Sequence, residues 1–308
     1  MGIRNQRVMV LLSSYNGEKY IAAQIESIMQ QKDISHIELL IRDDGSTDGT
    51  KDIIKKLVEK YGNILLIEGA NIGYVASYFT LIQECGGYDY YALSDQDDIW
   101  LDDKISCAID ALEKYDDEPV LYGSTSMLVR EDLVPFGKTQ EQLREITFCN
   151  SMIQNFFPGH TQVFNNELLK LLKRPFDCSQ IYVHDSWITN VAVIKGRVVF
   201  DNVPHTYYRQ HSNNELGFSK GIVSWVRERM KRIQKADGKK YARQIEYLYC
   251  EFKDELDKES RTEMEKYRKC QKNIMTRLHY VIVSKLYRQK KIETLFFKVL
   301  YLVGGYNN

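Results

Sequence analysis

YYALSDQDDIWLDDK (residues 90–104) runs from a hydrophobic stretch directly into a cluster of carboxylates. Asp95, Asp97, Asp98, Asp102 and Asp103 fall within nine positions and surround one tryptophan, Trp100. Carboxylates this close repel, and burying them is costly unless a cation or a strong donor compensates. The segment is therefore either a solvated loop or a seat for a divalent cation. A hard cation such as Mg2+ or Mn2+ takes oxygen ligands, few from the protein and the rest from substrate phosphates. Asp95 and Asp97 are two apart and would share a side in an extended chain.

The hydrophobic stretch ahead of this loop is the last of four. RVMVLLSSYN, IELLIRDDGS and NILLIEG read as three earlier strands. EKYIAAQIESIMQQ has helical spacing at Ile21, Ile25, Ile28 and Met29, KDIIKKLVEKYG is a helix closed by Gly62, and GYVASYFTLIQECGG is a third helix. Strand and helix alternate four times, the pattern of a parallel sheet covered by helices. Ligands of such sheets bind beyond the carboxyl ends of the strands. Three of those ends, SSYN, DDGSTD and SDQDD, are polar and should converge on one crevice. Neither GxGxxG nor GxxxxGK[ST] occurs, so the usual dinucleotide and P-loop devices are absent.

DDGSTDGT (residues 43–50) admits two readings. It is an Asx-rich turn with Ser46 or Asp48 capping a helix, or it carries a carboxylate that accepts the N3–H of a pyrimidine base. Past residue 119 the alternation loosens: PVLYGSTSMLV and GRVVFDNVPHTYYRQH look like strands, with a turn and helix in FFPGHTQVFNNELLKLL between them.

Formal charge is zero overall but uneven. Residues 1–218 hold 20 Lys+Arg against 31 Asp+Glu, and residues 219–308 hold 22 against 11. An acidic body with a basic tail meets an anionic surface with one end only. The six cysteines form no CxxC pair, so reduced thiols and a cytoplasmic setting are expected, without a disulfide framework or zinc site. No stretch approaches the roughly 18 apolar residues of a membrane span.

The ordered set SSYNGEKYI, IRDDGSTDGT, NIGYVASYF, SDQDDIW followed by a lysine, and YRQH resembles the family 2 glycosyltransferases of GT-A fold, more narrowly their bacterial rhamnosyltransferase branch. The likeness spans roughly residues 7–218. It implies an α/β catalytic domain over 1–218, with a nucleotide-binding half to about 118 and an acceptor half beyond; residues 219–308, outside the likeness, read from their own composition as a basic helical extension. It implies that Ser13 and Tyr15 line the base and that Asp44 binds it. Asp95 and Asp97 would form a DxD motif, with Asp97 the direct metal ligand and Asp95 on the ribose or a metal-bound water. Trp100 and Lys104 would lie near the donor, and Arg209 and His211 would close over the pyrophosphate or the Mg2+ or Mn2+ ion. Asp185, in YVHDSWI, matches the catalytic base. The sequence departs from the pattern at Ser77, where Asn is usual, and at His160, where a small residue or Cys is usual.

The chemistry asks for these residue types independently. Displacing a nucleoside diphosphate needs charge neutralised on the leaving pyrophosphate, and attack by an acceptor hydroxyl needs a base. A single base implies inversion at the anomeric centre. The resemblance alone implies that the enzyme moves L-rhamnose from dTDP-β-L-rhamnose to a lipid-linked or polysaccharide acceptor at the inner membrane face. A UDP-hexose donor and a non-catalytic nucleotide-sugar-binding assembly protein are the alternatives. A phosphohydrolase would need DxDx[TV], whereas here the string continues Asp-Gln-Asp-Asp-Ile from Asp95. Asp185 could instead be a helix N-cap and His211 a structural histidine. The tail, rich in Arg288, Lys290, Lys291, Phe296 and Phe297, is either a cap on the body or a second subunit, or an interfacial membrane helix. Nucleic acid is not an expected partner, since no such motif accompanies the charge.

Overall fold

The computed structural model describes residues 4–211 and 237–304. The expected boundary near residue 218 lies outside them. Two compact units emerge. The first comprises Met1–Glu141, Phe157–Cys178 and Gly196–Asn213; the second comprises Gln142–Phe156, Ser179–Lys195 and Asn214–Asn308. Two stretches of the expected acceptor half thus group with the basic C-terminal segment.

A seven-stranded sheet forms the centre of the first unit. Its strands are β1 (Arg4–Ser14), β2 (Ile34–Asp43), β3 (Ile64–Glu68), β4 (Tyr90–Ser94), β6 (Val120–Ser124), β9 (Val163–Asn165) and β10 (Arg197–Asp201), in the order β10-β6-β9-β4-β1-β2-β3. The four alternating strands lie parallel side by side, as their unbroken hydrophobic runs require: Val8, Val10, Leu11 and Leu12 are all fully buried, so both faces are covered. Helices α1 (Ile21–Met29), α2 (Thr50–Tyr61) and α4 (Lys104–Leu112) pack Ile25, Ile54 and Ile109 into one cluster with Val8 and Val10. Helix α3 (Tyr74–Glu84) lies against β1 and β2. The short β9 is antiparallel to both β4 and β6, a reversal inside the segment read as turn and helix α6 (Asn166–Leu172). Ser14 pairs with Asp43 and Leu12 with Ser94, so the three polar strand ends do sit on adjacent strands.

A second sheet of four short strands, β5 (Ile99–Trp100), β11 (Thr206–Arg209), β7 (Met127–Val129) and β8 (Pro135–Lys138), completes this unit. Strand β11 is antiparallel to β5, with Thr206 opposite Trp100 and Tyr207 opposite Ile99. That pairing carries the YRQH string to the carboxylate loop.

The second unit is helical. It contains α5 (Phe148–Ser151), α7 (His184–Lys195), α8 (Asp237–Phe252), α9 (Lys258–Lys269), α10 (Ile274–Val283) and α11 (Lys291–Leu302). Asp257 caps α9 by accepting from Glu259 N and Ser260 N, and Asn273 with Thr276 forms a capping box on α10. Gln244 Oε1 accepts from Tyr182 N and Val183 N, each at 2.9 Å, which ties the start of α7 to α8. Among the described residues no helix is long and apolar enough to cross a membrane.

Candidate active site

Asp43 and Asp44 are partnered differently, and the helix that follows has Gly49 at its N-cap rather than Ser46 or Asp48. Asp43 is the turn: its carboxylate accepts from Ser46 N at 2.9 Å and from Ser14 Oγ at 3.1 Å. Gly45, at φ +81°, follows, and a Cβ there would stand 2.9 Å from Asn71 N, so only glycine fits. Asp44 forms an ion pair with Arg42, both side chains buried, and accepts from Ile72 N and Gly73 N at 2.9 Å each. It thereby pins the loop before α3 beside the end of β2. Arg42 also reaches Ser77 Oγ at 3.3 Å, and Ser13 Oγ donates to Ser77 Oγ at 2.6 Å. The departure at Ser77 is thus built into the same network as Ser13 and Asp44. Tyr15, half-exposed, is held only through its backbone: its N–H donates to Gln96 Oε1 at 2.9 Å, and Gln96 Nε2 donates back to Tyr15 O at 3.0 Å.

The carboxylate loop corrects one expectation. The chain bends at residues 96–97 rather than running extended, so the period of two does not hold there. Asp95 turns toward Asp98 and His160, and ligand atoms of these three lie within 4.8 Å of one another. Tyr78 donates to Asp95 Oδ1 at 3.0 Å. Asp97 Oδ2 lies 2.8 Å from His211 Nε2. Arg209 spans the bend: its N–H donates to Asp98 Oδ1 at 3.1 Å and its Nε–H to Asp97 O at 2.9 Å. The His211 ring stacks on Tyr20 with centroids 4.9 Å apart, and the Arg209 guanidinium lies 4.8 Å over that same ring.

Beneath the loop the charge is buried. Asp98 and Lys104 are fully inaccessible and Trp100 nearly so. Lys104 Nζ stands 3.7 Å from the Trp100 ring centroid and donates to His160 O. Burial pushes Asp98 up to about 8, against the pull of His160, and pushes Lys104 down to about 7. Burial and the Asp95 charge likewise raise Asp97, with His211 opposing. Burial disfavours charge on His160, but Asp98 and Asp95 outweigh it and raise its pKa. His160 Nε2 is 2.8 Å from Ser126 Oγ, and its ring stacks on Tyr208 at 4.5 Å.

A divalent cation fits these donors. Asp98 Oδ2 is buried without a hydrogen bond, and the clustered groups are hard carboxylate oxygens with an imidazole at each side.

Asp185 belongs to the second unit. It sits in the first turn of α7, one residue inside the helix rather than at its N-cap, and is nearly buried at 8% exposure. Farther along the same helix Trp187 stacks on Tyr247 at 5.2 Å, and Ser186 Oγ is 3.1 Å from Tyr241 Oη.

The model for glycosyl transferase family 2 matches residues 9–163, about half of the chain. The chain belongs to that family. Its sequence is 32% identical over 222 residues to the dTDP-rhamnosyl transferase RfbG of Shigella flexneri, covering 67% of this chain and 73% of that protein. It is 27% identical over 208 residues to the UDP-Glc:alpha-D-GlcNAc-diphosphoundecaprenol beta-1,3-glucosyltransferase WfaP of Escherichia coli, covering 67% of this chain and 78% of the relative. Its fold aligns with a mannosyltransferase of Pyrobaculum calidifontis solved with GDP-Man and Mn2+, at TM-score 0.56 and 18% identity over 98% of this chain and 86% of the other. The mostly parallel sheet with flanking helices is the GT-A fold of this family 2 enzyme.

Asp98, one of the carboxylate cluster, and His160, noted in the sequence only as a departure from the family pattern, join Asp95 in one cluster. A 3-10 turn at Gly159–Thr161 delivers His160 to the cluster from another part of the chain, so its partners could not be read locally.

Proposed function

We propose that this family 2 glycosyltransferase moves L-rhamnose from dTDP-β-L-rhamnose, with inversion, to a lipid-linked or polysaccharide acceptor at the inner face of the cytoplasmic membrane. The observation that carries the chemistry is the Asp97–His211 pair just past the carboxyl end of β4, on the sheet side where Asp44 follows β2. The donor sugar rests on the likeness to the rhamnosyl transferase, which spans two thirds of the chain. The glucosyltransferase likeness supports a UDP-hexose as the second reading, and that relative's acceptor is lipid-linked.

In this reading Asp97 and His211 hold a Mg2+ or Mn2+ ion, with Asp95 and Asp98 adjoining. The bound ion supplies charge neutralisation for the leaving nucleoside diphosphate. Ser13, Tyr15 and Asp44 contact the base, and Arg209 faces the phosphates while bracing the loop from behind. Trp100 and Lys104 support the loop from below, since both are buried. Asp185 takes the proton of the acceptor hydroxyl as its oxygen attacks the anomeric carbon and the bond to the diphosphate breaks.

The test is a panel of nucleotide sugars assayed for thermal stabilisation and for donor hydrolysis, with and without Mn2+. dTDP-rhamnose should give the largest metal-dependent shift. A larger response to UDP-glucose or UDP-galactose would move the assignment to the second reading, and no response to any donor would reject catalysis.

A further inference from the structure

The second unit ends in a surface that sugar transfer does not use. Sixteen large apolar residues are exposed among the described residues, and nine of them lie between Ile274 and Val303. On α10, Ile274, Leu278 and Ile282 recur at helical spacing beside Met275; Met275 and Ile282 are 71% and 73% exposed. On α11, Ile292, Leu295 and Val299 form a second stripe. Residues spaced by three and four share one helix face. An apolar patch of this extent is uncommon on a water-exposed surface.

Both helices bury their other face on α9. Tyr280 of α10 and Tyr301 of α11 meet at 5.0 Å, and both rings lie within contact of Tyr267, at 6.0 and 5.4 Å. Tyr280 Oη donates to Glu263 Oε1 at 2.7 Å, and Tyr301 Oη donates to Tyr267 O at 3.0 Å. The apolar stripes therefore turn away from a shared support. Residues 266–304 hold ten Lys+Arg against one acidic residue, Glu293, which faces Arg288 at 3.1 Å; of the ten, Arg268 and Lys285 also pair with acids outside this stretch, Glu246 and Glu259. Lys290 and Lys291, at the start of α11, are exposed.

We infer that α10 and α11 lie flat on an anionic bilayer, their apolar stripes at the acyl boundary and their lysines among the headgroups. An amphipathic helix with Lys and Arg beside an apolar stripe binds in this way, and neither helix can span. A second copy of the chain would set like charge against like charge, which opposes self-pairing. The inference rests on the reading that the acceptor is membrane-borne, and it assigns the surface that holds the enzyme there.

The test uses the full chain with phosphatidylcholine vesicles, pure or with about a quarter phosphatidylglycerol. Wild type should bind the anionic vesicles, more weakly as salt is raised. A Met275→Gln, Ile282→Gln, Leu295→Gln, Val299→Gln variant should lose at least about tenfold in partitioning, with melting temperature and donor hydrolysis retained, because exposed positions tolerate substitution. Lys290→Gln with Lys291→Gln should lose about fivefold per lysine, and this pair decides the matter should the quadruple variant fold poorly. Vesicle binding unchanged in both variants overturns the inference. So does a quadruple variant that dissociates from oligomer to monomer while binding vesicles as before, since the stripes would then join two copies. An enzyme that binds vesicles yet acts on no nucleotide sugar sinks the proposed function and leaves the docking surface. One that transfers to a soluble acceptor but ignores vesicles does the reverse.

Discussion

His211 Nε2 lies 2.8 Å from Asp97 Oδ2 although 114 residues separate them. The contact exists because β11 pairs antiparallel with β5 directly after the bend in the carboxylate loop. Arg209, two residues before His211, clamps the bend through Asp97 O and Asp98 Oδ1. A carboxylate and an imidazole held edge to edge at a strand end form a ready pair of ligands for a divalent cation.

Asp97→Asn should reduce transfer by at least about a hundredfold without lowering the melting temperature by more than a degree or two, because an amide is a weak ligand and leaves diphosphate charge uncompensated. Excess EDTA should reproduce the loss in wild type, and Mn2+ or Mg2+ should restore it. Full activity of the variant, or of chelated wild type, rules out metal dependence.

Asp185→Asn should lower kcat by roughly two to four orders of magnitude, the range of a positioned base. Nucleotide affinity, read by calorimetry, should stay within about twofold. A parallel collapse of affinity would assign Asp185 to the donor site or to the fold of its unit.

Arg42→Met should cost about 3 kcal/mol in urea unfolding, since removing one partner of a buried pair strands the other charge. The two backbone N–H groups of Ile72 and Gly73 would still solvate Asp44, which keeps the cost at the lower end of that range. A loss below about 1 kcal/mol would mean that the pair is not what holds Asp44 at the end of β2.

His205 supplies the pH prediction. Burial disfavours its charge, but Asp201 at 3.1 Å and Asp103 at 3.0 Å outweigh it and raise its pKa. A raised histidine contributes stability in full below its unfolded value of about 6.5 and loses it as pH rises through the folded value. Asp201, held low chiefly by its hydrogen bond to His205 against the opposing effect of burial, loses its contribution as pH falls. Wild-type melting temperature should therefore decline as pH rises above about 6.5 more steeply than that of His205→Gln, with the two curves converging at high pH. Parallel curves from pH 6 to 9 would show that the imidazole is not charged in the fold.

The alternation of buried runs with helical spacing determined, from sequence, the four parallel strands and the three polar ends that meet on adjacent strands. Those are local properties: a run such as Val8–Leu12 must be covered on both faces wherever it lies. The order of motifs likewise named most of the groups now found around the carboxylate loop. Tertiary structure alone decided how those groups are partnered. The bend at 96–97 sends Asp95 to His160 and Asp97 to His211, because partners that lie 65 and 114 residues along the chain arrive only when a 3-10 turn and a second small sheet are in place. It also decided that Lys104 is buried under the loop rather than exposed on it, and that residues 142–156 and 179–195 group with the C-terminal helices. The reason is physical: hydrophobic periodicity reports whether a residue faces inward, but a charged side chain's partner is set by long-range packing, which leaves no local period to read.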